Sequence, residues 1–126
     1  MSRHGEIFER KAIPAGKMVM REGDEGHCAY LVQSGRVLVF TEKDGKTIEL
    51  ARLEAGEIFG EMALVCDEPR AASVKTLVDT TVIVIMREAF EEKLERSDPT
   101  IRAVVKMLSQ RMLEANKAVA RQKTDT

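Results

Sequence analysis

The spacing of hydrophobic positions changes character twice along this chain. Between Pro14 and Met86, short runs rich in Val, Ile, Leu and Thr alternate with turn signals: PAG at 14–16, EGDEG at 22–26, SG at 34–35, DG at 44–45 and AGE at 55–57. β-Prone runs interrupted by turns at roughly ten-residue spacing predict an antiparallel barrel or sandwich. The clearest predicted strands are 29–32, 36–41 and 46–53. The last two flank Asp44-Gly45, a pair that accepts positive φ at both central positions of a hairpin turn. TTVIVIM at 80–86, β-branched almost throughout, predicts a strand buried on at least one face.

On either side the pattern turns helical. Residues 1–12 read as a short helical lead-in anchored by Ile7 and Phe8, and 87–95 as a charged amphipathic segment anchored by Phe90 and Leu94. Ser97-Asp98-Pro99 then supplies cap residues and a proline suited to a first helical turn. Beyond it Ile101, Val104, Val105, Leu108, Met112, Ala115 and Val119 recur at three- and four-residue steps, one apolar stripe on a helix of about five turns. The stripe is expected to pack on the β region, with a dimer seam as the alternative. The predicted fold is mainly β with flanking helices, in a single domain over 1–126. It divides into the lead-in, a β-roll at 13–86 and C-terminal helices at 87–121.

Composition narrows the function. The 126 residues suffice for one hydrophobic core. With 44% hydrophobic and 33% charged residues, the chain has ordinary globular composition. No apolar run approaches the roughly 18 residues needed to span a bilayer. The N-terminus lacks the apolar stretch of an export signal, and Cys28 and Cys66 form no CxxC pair. The two cysteines are therefore expected to be reduced, partly buried thiols in a cytoplasmic protein. A net charge of −1 gives no pull toward nucleic acid, and the basic residues near the C-terminus suit the end of a helix. Neither a nucleic-acid nor a membrane partner is expected.

One segment stands out within the β region, FGEMALVCDEPRAASV at 59–74. It sets one acid flanked by glycine, Glu61, and one base, Arg70, among small and apolar residues. Charges in such surroundings need partners. Gly60, at the start of a short helix-permissive stretch, offers free backbone N–H groups to an anion. The small residues Ala63, Ala71 and Ala72 allow close approach. Pro69 fixes the chain before Arg70, whose planar fork of donors matches a phosphate. Glu61 would repel that anion unless it accepts a hydrogen bond from a neutral hydroxyl on the same ligand. A ribose phosphate satisfies both conditions. A Glu61–Arg70 ion pair that merely ties down a loop accounts equally for the spacing.

The segment resembles the phosphate-binding cassette of the cyclic nucleotide-binding domain family. IPAGKMVMREGDEG followed by AYLVQSGRVLVF resembles the family's first strands and turn glycines, and the helices after TTVIVIM lie where the family places its last two. The resemblance implies an eight-stranded jelly-roll with a cassette helix, holding a 3′,5′-cyclic nucleotide. On it, Arg70 holds the exocyclic phosphate oxygens, Glu61 accepts the ribose 2′-hydroxyl, and backbone N–H groups near Gly60, Ala63 and Ala71 complete the cradle. Ala71 stands where threonine is frequent in cGMP-preferring members, which favours cAMP. Phe59, Met62, Leu64 and Ser73 are further candidate contacts. No aromatic follows Phe90 to cap the base, which leaves the apolar stripe or Arg111.

The remaining residues carry less. Gly16, Gly23, Gly26, Gly35, Gly45 and Gly56 read as turn residues needing positive φ, with no ligand role. Glu22 and Asp24 read as turn acids. His4 and His27 lack the clustered ligands of a cupin-like metal enzyme, and neither Ser73 nor Cys66 has a base in its motif. No cofactor or metal is expected beyond the ligand, cAMP or cGMP. The expected protein is a non-catalytic cytoplasmic receptor that signals to an unknown protein partner through its C-terminal helices, as a monomer or a homodimer. Only RQKTDT follows the stripe, so no effector is expected. Met1 favours a free-standing domain over one cut from a longer protein. The alternatives are an oligomerisation scaffold of the same fold that binds no ligand, and a cupin-like enzyme.

Overall fold

The protein is described here by a computed structural model covering residues 8–125. Strands β1 (Glu9–Ile13), β2 (Met18–Met20), β3 (Cys28–Ser34), β4 (Arg36–Lys43), β5 (Lys46–Glu54) and β6 (Ile58–Phe59) lead into a 3-10 turn over Glu61–Leu64. Strands β7 (Ser73–Thr76) and β8 (Thr80–Met86) follow, and helices α1 (Arg87–Glu95) and α2 (Pro99–Asp125) close the chain. The strands form two four-stranded sheets, in the orders β1-β8-β3-β6 and β2-β7-β4-β5. Every pairing is antiparallel.

The sheets meet through a shared apolar layer. Ile13, Val32, Phe59 and Val82 from one sheet cluster with Val37 and Val74 from the other. Alternation creates this layer, since side chains two apart on a strand share a face. In β8, Thr80 and Val82 are buried while Thr81 is half-exposed. The β4–β5 hairpin turns at Asp44 and Gly45, whose φ angles of 55° and 77° are those the pair was expected to supply. β5 lies at a sheet edge and is almost wholly exposed, Ile48 and Leu50 included.

The expected N-terminal helix is corrected where it can be followed. Residues 1–7, Ile7 among them, lie outside the described residues, but Glu9–Ile13 is a strand paired with β8 from Glu9↔Val84 to Ile13↔Thr80. ERKAI has no strand-like alternation of its own. The open edge of β8 decides the matter, because its backbone N–H and C=O groups require partners.

α2 starts where its cap residues predicted, at Pro99. The Asp98 carboxylate accepts from the Thr100 N–H at 2.8 Å, which satisfies one of the unpaired donors of the first turn of α2. The stripe on α2 departs from expectation. Ile101, Val104 and Leu108 stand 47–57% exposed and Ala115 is exposed, while Val105 and Met112 are half-buried; Met107, outside the stripe, is 54% exposed, and Asn116, also outside it, is half-buried. The Val119 side chain lies outside the described residues. Periodicity identifies the apolar face of a helix but not what covers it, and here the body of the protein covers little of it. No described helix is long and apolar enough to cross a membrane.

Candidate functional site

The segment between β6 and β7 is held at both ends by the core. Phe59 is buried and stacks on Tyr30 with ring centroids 5.0 Å apart. The chain then turns at Gly60, whose left-handed backbone (φ 71°, ψ 17°) suits glycine, and closes a single 3-10 turn. That element is shorter than the helix the sequence suggested. One turn accumulates little dipole, so its contribution is individual N–H groups. The Ala63 N–H is spent within the turn on the Gly60 carbonyl at 3.2 Å. The N–H groups of Glu61 and Ala71 have no acceptor among the described residues.

Arg70 is 9% exposed. Its backbone pairs with the 22–26 turn, the N–H donating to Asp24 O and the carbonyl accepting from Gly23 N–H, both at 2.8 Å. The guanidinium donates from Nη1 to Gly60 O at 3.2 Å and from Nη2 to Cys28 O at 2.9 Å. Nη2 also lies 3.8 Å from Cys28 Sγ, and the Tyr30 ring centroid is 5.8 Å from Cζ. Among the described residues no carboxylate comes within 4.0 Å of it. Two of its five N–H groups are used by carbonyls, leaving one on each nitrogen without an oxygen partner among the described residues. Burial, and after it the neighbouring Cys28 side chain, push the Tyr30 phenol up to about 12.

Glu61 and Arg70 therefore do not tie down the loop by pairing. Both instead line one cavity of about 350 Å³ between the cassette and the inner faces of β4, β5 and β7. Of the residues singled out from sequence, Phe59, Gly60, Glu61, Met62, Ala63, Arg70 and Ala71 line it. Leu64, Ser73 and Arg111 do not; the Ser73 hydroxyl accepts from the Glu22 N–H at 2.9 Å, and Arg111 is exposed. Among the described residues, α2 brings Asn116 to the cavity wall, where its side-chain amide donates to Glu68 at 3.1 Å. Asn116 sits four positions after Met112, a polar interruption beside the stripe, and that was its signal.

A second connection was not foreseen. Arg87, at the junction of β8 and α1, donates from Nε to Ala63 O at 2.8 Å and from Nη2 to Cys66 O, and pairs through Nη1 with Asp67 at 2.7 Å. Its backbone N–H donates to His27 O at 2.9 Å. In sequence it is one of 20 basic residues and nothing marks it. The expectation for Gly26 is corrected: it was grouped with the turn glycines needing positive φ, and unlike Gly16, Gly23, Gly35, Gly45 and Gly56 it does not have it. Cys28 and Cys66 are free and partly buried, as expected.

Residues 10–97 match the family described as cyclic nucleotide-binding domain. The chain is 36% identical over 110 residues to a cyclic AMP receptor protein of Thermus thermophilus, a match covering 86% of this chain and 51% of that one. It is 34% identical over 93 residues to a cAMP-dependent protein kinase regulatory subunit of Neurospora crassa, covering 74% and 24%. The chain thus spans about half the length of the first relative and a quarter of the second. Among solved structures, the EAL enzyme Bd1971 in its halfsite-occupied form superposes with a TM-score of 0.81 at 34% identity, over 86% of this chain and 98% of that one. Its cAMP-bound form gives 0.68 at 33% identity, over 90% and 30%. The cGMP-bound form gives 0.69 at 32%, over 90% and 31%.

Proposed function

The chain belongs to the cyclic nucleotide-binding domain family, and from that premise we propose that it is a receptor that binds a 3′,5′-cyclic nucleotide, cAMP in preference to cGMP, without transforming it. The observation that carries the proposal is Arg70: a guanidinium buried to 9% exposure, fixed by two carbonyls, without a carboxylate partner among the described residues, on the wall of a cavity that Glu61 shares. A buried charge left in this state costs free energy until an anion reaches it. The phosphodiester of a cyclic nucleotide is a monoanion beside a neutral hydroxyl. Arg70 and the Ala71 N–H meet the phosphate, and Glu61 accepts from the ribose 2′-OH. Ala71 in place of threonine supports cAMP, as does the cyclic AMP receptor protein among the relatives; the enzyme Bd1971, solved with cAMP and with cGMP, supports a cyclic nucleotide without separating the two.

The proposed domain runs from β1 through α2. Its output is a change in the helices, because the cassette touches both, α1 through Arg87 and α2 through the Glu68–Asn116 hydrogen bond. The downstream partner is a protein that reads the position of those helices. The exposed apolar face at Ile101, Val104, Met107 and Leu108 supports a homodimer through α2 over a monomer.

A thermal-shift panel of cAMP, cGMP and their linear monophosphates tests the reading, with stabilisation by the cyclic compounds expected. No shift with any of them would leave the ligand-free scaffold instead. By titration calorimetry, Arg70→Ala should bind cAMP roughly 30- to several-thousand-fold more weakly, the cost of removing one partner of a buried charged pair, about 2–5 kcal/mol. Parental affinity in that variant would remove Arg70 from the phosphate site.

A further inference from the structure

Gly26 occupies the loop between β2 and β3 and presents its Cα to the Arg70 guanidinium. A Cβ built on it would lie 2.1 Å from Arg70 Nε, 2.2 Å from Cζ and 2.6 Å from Nη2. Its φ is not positive, so the backbone there makes no demand for glycine; the demand is for space. Gly23 and Gly45 show the opposite case, with φ of +89° and +77° and nothing within 4 Å of an added Cβ. On the other side, a Cβ at Gly60 would approach Nη1 to 2.8 Å. The guanidinium thus lies in a slot between two residues without side chains, and the carbonyls of Cys28 and Gly60 accept from it there.

We propose that Gly26 is a positioning residue for phosphate binding: its missing side chain forms the seat that aims the Arg70 guanidinium at the ligand. The inference rests on the reading of Arg70 as the phosphate ligand. An added methyl would force the guanidinium from 2.1 Å out to at least 3.4 Å, an ordinary van der Waals distance. A shift of that size breaks hydrogen bonds that stand at 2.9 and 3.2 Å. The displaced group is the far end of a flexible side chain, so the fold survives while the aim is lost.

Gly26→Ala, Arg70→Ala and the double variant test this by cAMP calorimetry and thermal melting, with Gly45→Ala as the same added methyl away from the cavity. Gly26→Ala should weaken binding by about 30-fold or more, the lower bound for losing a buried charged partner. In the Arg70→Ala background the same substitution should change affinity by less than about threefold, because the two act as one. Gly45→Ala should leave affinity at the parental value. Parental affinity in Gly26→Ala, or an equal loss in both backgrounds, overturns the proposal, the latter because Gly26 would then act without Arg70. The Arg70 Nε–Hε resonance, assigned by its loss in Arg70→Ala, provides a readout without ligand. It should shift in Gly26→Ala, and an unchanged resonance also overturns the seat. Were no cyclic nucleotide to bind the parent, the receptor reading would fail, and this resonance would still decide the role of Gly26.

Discussion

Arg87 offers a test of how the cassette is joined to the helices. Replacing it with methionine keeps an unbranched apolar stem and removes three interactions, the bonds to Ala63 O and Cys66 O and the pair with Asp67. The pair alone is weak: Asp67 is 79% exposed, and exposed ion pairs contribute about 0–1 kcal/mol. The carbonyl bonds come from a charged donor only 21% exposed, and bonds of that kind contribute roughly 1.5–3 kcal/mol each. Water will solvate the freed carbonyls in part, so Arg87→Met should cost on the order of 2–4 kcal/mol. For a domain of this size that lowers the melting temperature by roughly 10 °C. Asp67→Asn should cost under about 1 kcal/mol and a few degrees at most. The backbone bond from Arg87 to His27 persists in either variant, which keeps the start of α1 in place. Melting both variants by circular dichroism compares them directly, and saturating nucleotide followed by NMR of α1 reports coupling. Equal melting temperatures would mean that the ion pair carries the connection, and an α1 response to ligand undiminished in Arg87→Met would show that the signal travels elsewhere.

Glu61→Ala should blunt discrimination rather than abolish binding. The parent should prefer cAMP over its 2′-deoxy analogue by roughly 10- to 100-fold, as one hydrogen bond to a charged acceptor allows, and the variant should bind both alike; an unchanged ratio would detach Glu61 from the ribose. The Tyr30 phenol is held at about 12, above its ordinary 10.0, chiefly by burial, so the folded state retains a proton that the unfolded state releases first. Its stabilising contribution is full below pH 10 and is lost as pH rises from 10 to about 12; Tyr30→Phe should lack this loss, and phenolate absorbance reports the titration because the chain has one tyrosine. Leu108→Glu places a charge on the exposed face of α2 and should convert a dimeric parent to monomer in sedimentation, whereas a monomeric parent would show that this face is not a dimer seam.

The sequence revealed most where a local rule and the tertiary outcome agree. β8, the Asp44-Gly45 hairpin and the cap before α2 follow from side-chain branching, positive φ and a carboxylate acceptor, each decided by a few consecutive residues. β1 and the α2 stripe were misread because each depends on a remote surface: ERKAI becomes a strand only because β8 has an edge to fill, and the stripe's exposure depends on what the rest of the protein leaves uncovered. The cavity shows the same division. Glu61 and Arg70 were legible because charges in apolar sequence are costly. Gly26, Arg87 and Asn116 reach the cassette across 44, 24 and 48 positions of chain, from Arg70, Ala63 and Glu68 in turn, and no spacing rule connects them.

The two ties between cassette and helices differ in strength, and that difference assigns them different parts in the proposed response. Arg87 binds α1 to the cassette through two part-buried bonds from a charged donor, so the start of α1 follows the cassette more closely than α2 does. Asn116 binds α2 through one exposed hydrogen bond at 3.1 Å, and a bond of that kind contributes about 1 kcal/mol at most. Release of α2 from the cavity is therefore the inexpensive motion. A ligand shifts an equilibrium only by the difference in its affinity for the two states. Because Asn116 forms part of the cavity wall, a nucleotide filling the cavity meets α2 only when the helix is docked. One or two added contacts, each comparable to the bond already present, would change the docked-to-released ratio about tenfold or more. On the proposed receptor reading, the helix with the weaker tie is thus the one whose position a bound nucleotide would govern, while α1 stays with the cassette.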